Sequence, residues 1–248
     1  MPKFDGLADS YDRTRPRYPA ALFSAALALL PTGRPLTVAD AGAGTGIALE
    51  TLLPLLPAGS TVHAVDISAD MIRLGREKFP RVHWAQGTAE EHLGRLTGLD
   101  LVLAAQAYQW LDRPAYLRAA AAALRPGGFC LIVQNNRDHG RGGFAAAYED
   151  LLEACSPGYT RTYRSIDVAG ELATVFGQVA RHECRWEQAL TVEGLVTMSS
   201  SSTQAQRAVT AVGPAFLDQV RELAERHAVD GLVRLPYLSE AFHGAARG

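Results

Sequence analysis

Glycines 42, 44 and 46 alternate with single residues in the stretch Asp40-Ala41-Gly42-Ala43-Gly44-Thr45-Gly46. Glycine at such spacing permits left-handed backbone and lets a ligand approach where a Cβ would block it. Peptide N–H groups at a turn that opens a helix attract polar and anionic ligand atoms. The residues before the turn, 36–41, are β-prone, and after it Ile47, Leu49, Leu52 and Leu53 recur with helical spacing. Strand, glycine turn and helix form the entry to a βαβ unit. Twenty residues past Gly46 stands Asp66, at the end of a second β-prone run over 61–65. A carboxylate at the tip of a second strand accepts hydrogen bonds from a ribose diol. The spacing is G-x-G-x-G, whereas the dinucleotide fingerprint is G-x-G-x-x-G. Glycines and Asp66 together therefore describe a nucleoside site without a well-formed pyrophosphate cradle.

Other stretches extend this pattern. They are Phe4, Tyr11, Arg15-Pro16 and Tyr18-Pro19 near the start, then Gly87-Thr88-Ala89-Glu90, then Ala104-Ala105-Gln106-Ala107-Tyr108-Gln109-Trp110. Leu124-Arg125-Pro126-Gly127-Gly128 and Leu235-Pro236-Tyr237 follow. With the glycine turn, these resemble the class I S-adenosylmethionine (SAM) dependent methyltransferases, in the group similar to the small-molecule type 11 and trans-aconitate-like enzymes. The resemblance is close over the first half and loose beyond it. It implies an α/β, Rossmann-like fold: a seven-stranded, mostly parallel sheet with an antiparallel last strand, helices on both faces and a helical cover over the acceptor pocket. It implies SAM as cofactor and S-adenosylhomocysteine (SAH) as product. Tyr11 and Arg15 then lie near the methionine carboxylate, a role that suits the planar fork of a guanidinium. Asp66 takes the ribose, and Thr88 and Ala89 the adenine edge. Asp40, Gly42, Gly44, Gly46, Ile67, Met71, Gly87 and Gln106 complete the implied cofactor-binding set.

The sulfonium methyl is already an electrophile, so such an enzyme works mainly by positioning and desolvating its partners. The family often has histidine where this chain has Gln109. A glutamine orients by hydrogen bonding and cannot accept a proton from a hydroxyl or amine. Tyr108, Gln109 and Tyr11 are the catalytic candidates, and His139 and His243 lie on segments that could reach the pocket. Trp110 could wall a flat acceptor or simply pack in the core. Met71 has the same two readings, at adenine or in the core, and Thr88 could equally cap the short helix that carries Glu90. His182-Glu183-Cys184 alternates across a strand and lacks a partner motif, so no metal site is expected. The serines at 199–202 have no G-x-S-x-G elbow and support no hydrolase.

These groups need a scaffold. At 248 residues the chain fits one doubly wound domain. Residues 1–19 read as an N-terminal lid, 20–136 as the cofactor-binding core, and 137–248 as acceptor-pocket elements and C-terminal strands. The aromatic residues of the lid need something to pack on, which favours it over a frayed end. Helices are expected over 20–30, 47–56, 69–79 and 144–155, with Ser68 capping the third; Asp112 opens another that stops at Pro126-Gly127-Gly128. Strands are expected over 82–85, 99–105, 129–134, 178–188 and 232–242. A short helix begins at Thr191 and a last one at Pro214.

A net charge of −2 gives no basic footprint for nucleic acid. The first residues show no signal-peptide h-region, and no run is long enough to span a membrane. Three scattered cysteines suit a reducing cytoplasm. The expected partner is a small, aromatic or partly apolar acceptor, with no nucleic acid and no membrane, and a homodimer is admitted. Two other readings remain: a SAM-binding cyclase or lyase that transfers no methyl, and an NAD(P)-linked oxidoreductase, which the glycine spacing disfavours.

Overall fold

A computed structural model describes residues 8–31, 33–163 and 165–247. Phe4, expected in the lid, lies outside these residues. The first half contains α1 (Ala8–Thr14), α2 (Ala20–Leu27), β1 (Thr37–Ala41), α3 (Ile47–Leu52), β2 (Thr61–Asp66), α4 (Ala69–Lys78), β3 (His83–Gln86), α5 (Ala89–Leu93) and β4 (Leu99–Ala105). Then come α6 (Arg113–Ala123), β5 (Leu124–Arg137), α7 (Gly143–Cys155), α8 (Val168–Val175), β6 (Gly177–Thr191), α9 (Val192–Ser200), α10 (Thr203–Val212), α11 (Ala215–His227) and β7 (Leu232–Ala245).

The seven strands form one sheet in the order β3-β2-β1-β4-β5-β7-β6. Neighbours from β3 to β5 are parallel, while β7 runs antiparallel to both β5 and β6. Strand order reverses between β1 and β4, and ligands of open α/β sheets bind beyond the carboxyl ends of the strands at such a point. β4 is buried along nearly its whole length, as a central strand covered on both faces must be. α2 and α3 cover one face and α5, α6 and α8 the other. A third apolar cluster, from α7, α9, α10, α11 and β7, forms the helical cover.

Local chemistry sets the boundaries. The side chains of Ser68, Thr88, Asp112 and Thr191 each accept a backbone N–H at the start of a helix. Two helices not expected from sequence have caps of the same kind: Asp167 opens α8 and Ser202 opens α10. The expected end of α6 at Pro126-Gly127-Gly128 is corrected. The helix ends at Ala123, and Leu124 already pairs with Leu99. The next pair is Leu101 with Phe129, so Pro-Gly-Gly is looped out as a bulge within β5. Gly127 there has φ +79°, and a Cβ on Gly128 would stand 2.8 Å from the Leu99 carbonyl oxygen. Asp100, buried beside the bulge, is held by Arg34, Arg125 and the Thr37 N–H.

Candidate active site

The carboxyl ends of β1, β2, β4 and β5 open into a cavity of about 650 Å³. Its floor is the glycine turn. Gly42, Gly44 and Gly46 have φ of +72°, +57° and +79°, a region in which side-chain-bearing residues are strained. A Cβ on Gly42 would stand 2.6 Å from the Ala107 Cβ, whereas one on Gly44 would meet nothing within 4 Å. Gly42 is thus required by packing, and Gly44 leaves bare backbone facing open space.

Two carboxylates stand over this floor. Asp66 ends β2; its Oδ2 accepts the Gly44 N–H at 2.8 Å and its Oδ1 the Ser68 N–H at 2.9 Å. Burial raises its pKa, and the N–H groups of Ser68, Gly44 and Ile67 oppose that rise. Asp40 ends β1 with only 1% of its surface exposed. Neither carboxylate oxygen of Asp40 accepts a hydrogen bond from any described residue, yet the residue lines the cavity. Burial, reinforced by the negative charge of Asp66, pushes its pKa up to about 7.

Around them the cavity gathers Tyr11, Arg15, Ile67, Met71, Gly87, Thr88, Ala89, Gln106, Gln109 and Trp110. Ile67 and Trp110 are 57% and 45% exposed, which places both at the rim and takes Trp110 out of the core reading. Met71 is buried and also lines the cavity, so its two readings coexist, as do those of Thr88. Gln106 holds φ at +53°, an uncommon state for a side-chain-bearing residue. It is fixed by its N–H on the Val133 carbonyl and its side-chain amide on the Asn135 carbonyl. The Gln109 side chain donates to the Gln106 carbonyl at 3.0 Å. The Oε1 atoms of both glutamines are buried and accept nothing from the described residues.

The described N-terminal segment is pinned across the glycine turn. Asp12 of α1 accepts from Thr45 at 2.6 Å and from Lys78 at 2.5 Å, and Arg17 and Lys78 both reach Glu50 of α3. Arg15 lies over the Tyr11 ring at 4.6 Å and donates to the Ser201 carbonyl at 3.2 Å, while its Nε is buried without an acceptor. Beyond this point the cavity wall comes from β5, β7 and the helical cover: Asn135, Arg137, Tyr148, Tyr163, Met198 and Tyr237 are among its residues. Arg137 is paired through Nε with Glu149 at 2.7 Å, its guanidinium facing the Tyr148 ring at 5.1 Å. Burial opposes the charge of Arg137, but Glu149 outweighs it and holds the group protonated. Ser199 and Ser202, in the run that showed no nucleophile motif, line the same wall; Ser199 bonds Tyr148 at 2.5 Å.

A family profile described as a methyltransferase domain matches residues 38–128, which span the glycine turn, Asp66 and β4. An uncharacterised methyltransferase of Mycobacterium tuberculosis is 32% identical over 240 residues, covering 95% of this chain and 92% of the relative. The chain belongs to the methyltransferase family. A trans-aconitate 2-methyltransferase of Deinococcus radiodurans is 34% identical over 54% of this chain and 52% of that protein. Among solved structures, one from Anaeromyxobacter dehalogenans, described as a type II methyltransferase, superimposes with a TM-score of 0.72 at 22% identity, covering 94% of this chain and 98% of that one.

For a methyltransferase, the expected catalytic set needs correction. Tyr108 does not line the cavity; it is 1% exposed, and its hydroxyl donates to Glu171 at 2.6 Å. Burial and the adjoining Glu171 carboxylate raise its pKa further, so it is neither acceptor base nor pocket wall. The turn after β4 (residues 108–110) is a single 3-10 turn, which points Tyr108 inward and Gln109 and Trp110 toward the cavity. His139 and His243 also lie outside the lining; His243 is buried against Phe129 and His182. Among the described residues, no group of three histidine, cysteine, aspartate or glutamate side chains could hold a metal. No helix among them is long and apolar enough to cross a membrane. Sequence reasoning missed Asp12, Asn135, Arg137, Tyr148 and Tyr163, none of which falls in a motif.

Proposed function

We propose that this methyltransferase binds SAM over the glycine turn and transfers its methyl group to a small acceptor seated between Trp110 and the helical cover. The observation that carries this reading is Asp40: a carboxylate, buried and without a hydrogen-bond donor, facing the cavity. Such a group costs free energy unless a cation or donor meets it, and the ammonium of the methionine moiety would do so. Arg15, with a buried Nε that donates to nothing, suits the neighbouring carboxylate. Asp66 accepts from the N–H groups of Gly44, Ser68 and Ile67 and keeps acceptor capacity for a ribose hydroxyl. Ile67 and Met71 offer apolar contact for adenine, and Thr88 and Ala89 lie at the same end of the cavity.

SAM, when bound, supplies an electrophilic methyl on a sulfonium. The chain's own contribution is placement. Gln106 and Gln109 present fixed, unpaired amide oxygens that orient an acceptor donor, and neither takes a proton. Tyr148, Tyr163, Tyr237 and Met198 make the far wall aromatic and partly apolar, which supports an acceptor of that character. Tyr11 lines the cavity from the lid, where it excludes water from the reacting atoms. Holding the reactants in line accounts for an effective molarity of about 10⁵–10⁸ M without a strong base.

Calorimetric titration with SAH, and NADH as control, tests the cofactor. Saturable SAH binding with silence toward NADH is expected, and NADH binding alone refutes the proposal. Acceptor libraries with SAM then test the transfer by mass. A product heavier by one methylene supports it, whereas consumption of SAM without an added methylene refutes methyl transfer.

A further inference from the structure

We infer that the protein forms a symmetric dimer in which β6 pairs antiparallel with β6 of a second copy, centred on Cys184. β6 is an edge strand of fifteen residues, paired only with β7 on its inner side. A long edge invites pairing, and proteins guard such edges with charged side chains (lysine above all), proline, bulges or inward-pointing charge. Gly177–Thr191 contains neither proline nor lysine. Its one irregularity is a register shift between Gly177 and Ala180, near its start.

The charges it does carry alternate in sign. Arg181, Glu183, Arg185 and Glu187 share one face of the strand, with side chains 47%, 42%, 56% and 35% exposed; within the chain Glu183 pairs with both Arg181 and Arg185, and Glu187 with Arg141, so a partner's charges would join pairs that already exist. A row of one sign would repel a second copy at every register. An alternating row is self-complementary about one point. When Cys184 faces the partner's Cys184, Arg181 faces the partner's Glu187 and Glu183 the partner's Arg185. The two-fold repeats both contacts, as any isologous interface must. Shifting the register by two residues in either direction sets like charges opposite one another.

Three features share this centre. The strand runs from Gly177 to Thr191, so Cys184 stands at its middle with seven residues on either side. The regular part of the ladder with β7, from Ala180 onward, includes the matched stretch from Ala180 to Gln188. On the opposite face, His182 meets the partner's Trp186, a cross-strand aromatic pair of the kind that stabilises sheets. Within the chain, Trp186 is held by stacking on Tyr237 at 4.9 Å and by its indole N–H on Ser239 at 2.8 Å, so the ring is already ordered. The two sheets then join into one.

Sedimentation of the full-length protein across a concentration series tests this, with SAH binding as the check on folding. The wild type should dimerise. Glu183→Arg should weaken the dimer by about tenfold or more, since it sets two like-charge contacts against the partner's Arg185. Glu183→Arg combined with Arg185→Glu should restore it. Mild oxidation should give a covalent dimer that persists in Cys155→Ser and disappears in Cys184→Ser, because facing residues of antiparallel strands lie about 4.5–5.5 Å apart at Cα, within disulfide range. A monomer at every concentration, a dimer indifferent to Glu183→Arg, or a cross-link through Cys155 would each overturn the inference.

Discussion

Asp40→Asn separates stability from ligand binding. In the unliganded protein Asp40 has a pKa of about 7 against an ordinary 3.8. A carboxyl whose folded pKa is raised binds more protons folded than unfolded, so it lowers stability as pH rises from its unfolded to its folded value. Below the unfolded pKa it costs nothing. Above about pH 7 the whole cost is present: about 3 pKa units at 1.36 kcal/mol each, or roughly 4 kcal/mol. Asparagine has the same shape and does not ionise. Its stabilisation over wild type should therefore grow by about 2.5–3 kcal/mol between pH 5 and pH 8, read from urea denaturation of both proteins. The same variant should bind SAH far more weakly, since an amide cannot neutralise an ammonium; the wild type should gain affinity as pH rises through 7. A stability difference that does not change with pH would refute the buried, unpaired carboxylate. Undiminished SAH binding by Asp40→Asn would refute its role as partner of the ammonium.

Asp66→Ala should weaken SAH binding by about 1.5–3 kcal/mol for each charged hydrogen bond lost, measured by calorimetry; equal affinity would place the ribose elsewhere. Tyr108→Phe should leave kcat within twofold while lowering stability by about 1–3 kcal/mol, because the Glu171 carboxylate loses a buried donor; a large fall in kcat at unchanged stability would return Tyr108 to the chemistry. Gly42→Ala should destabilise the fold by about 1–3 kcal/mol, through left-handed strain and the clash with Ala107, and a thermal melt reads it. Arg137→Met strands Glu149 in the interior and should cost about 3–5 kcal/mol, whereas Arg137→Met with Glu149→Leu should recover most of it in the same urea assay.

What sequence alone determined is local. The glycines of 42–46 have a left-handed backbone that side-chain-bearing residues rarely adopt, so their spacing announced a turn before any contact was known. Asp66 followed because a strand of given rise and a helix of given length place its tip beside that turn. Capping residues behaved likewise: Ser68, Thr88, Asp112 and Thr191 act on N–H groups two or three positions away. The hydrophobic runs of β1, β2 and β4 were legible because a buried parallel strand must be apolar along its length.

Tertiary structure decided what depends on distant neighbours. Tyr108 and Gln109 are adjacent in sequence, and only the 3-10 turn after β4 sends one to Glu171, sixty-three positions away, and the other to the cavity. Pro126-Gly127-Gly128 read as a helix stop, yet Leu124 had already joined Leu99, and that long-range pairing made the same residues a bulge. The cavity wall of Asn135, Arg137, Tyr148 and Tyr163 carries no motif, because its members come from separate elements whose spacing reflects packing. Asp40 shows the division most plainly. Its place beside the glycines was in the sequence; that its carboxylate would lie buried and unpaired depended on which side chains the assembled sheet failed to bring to it.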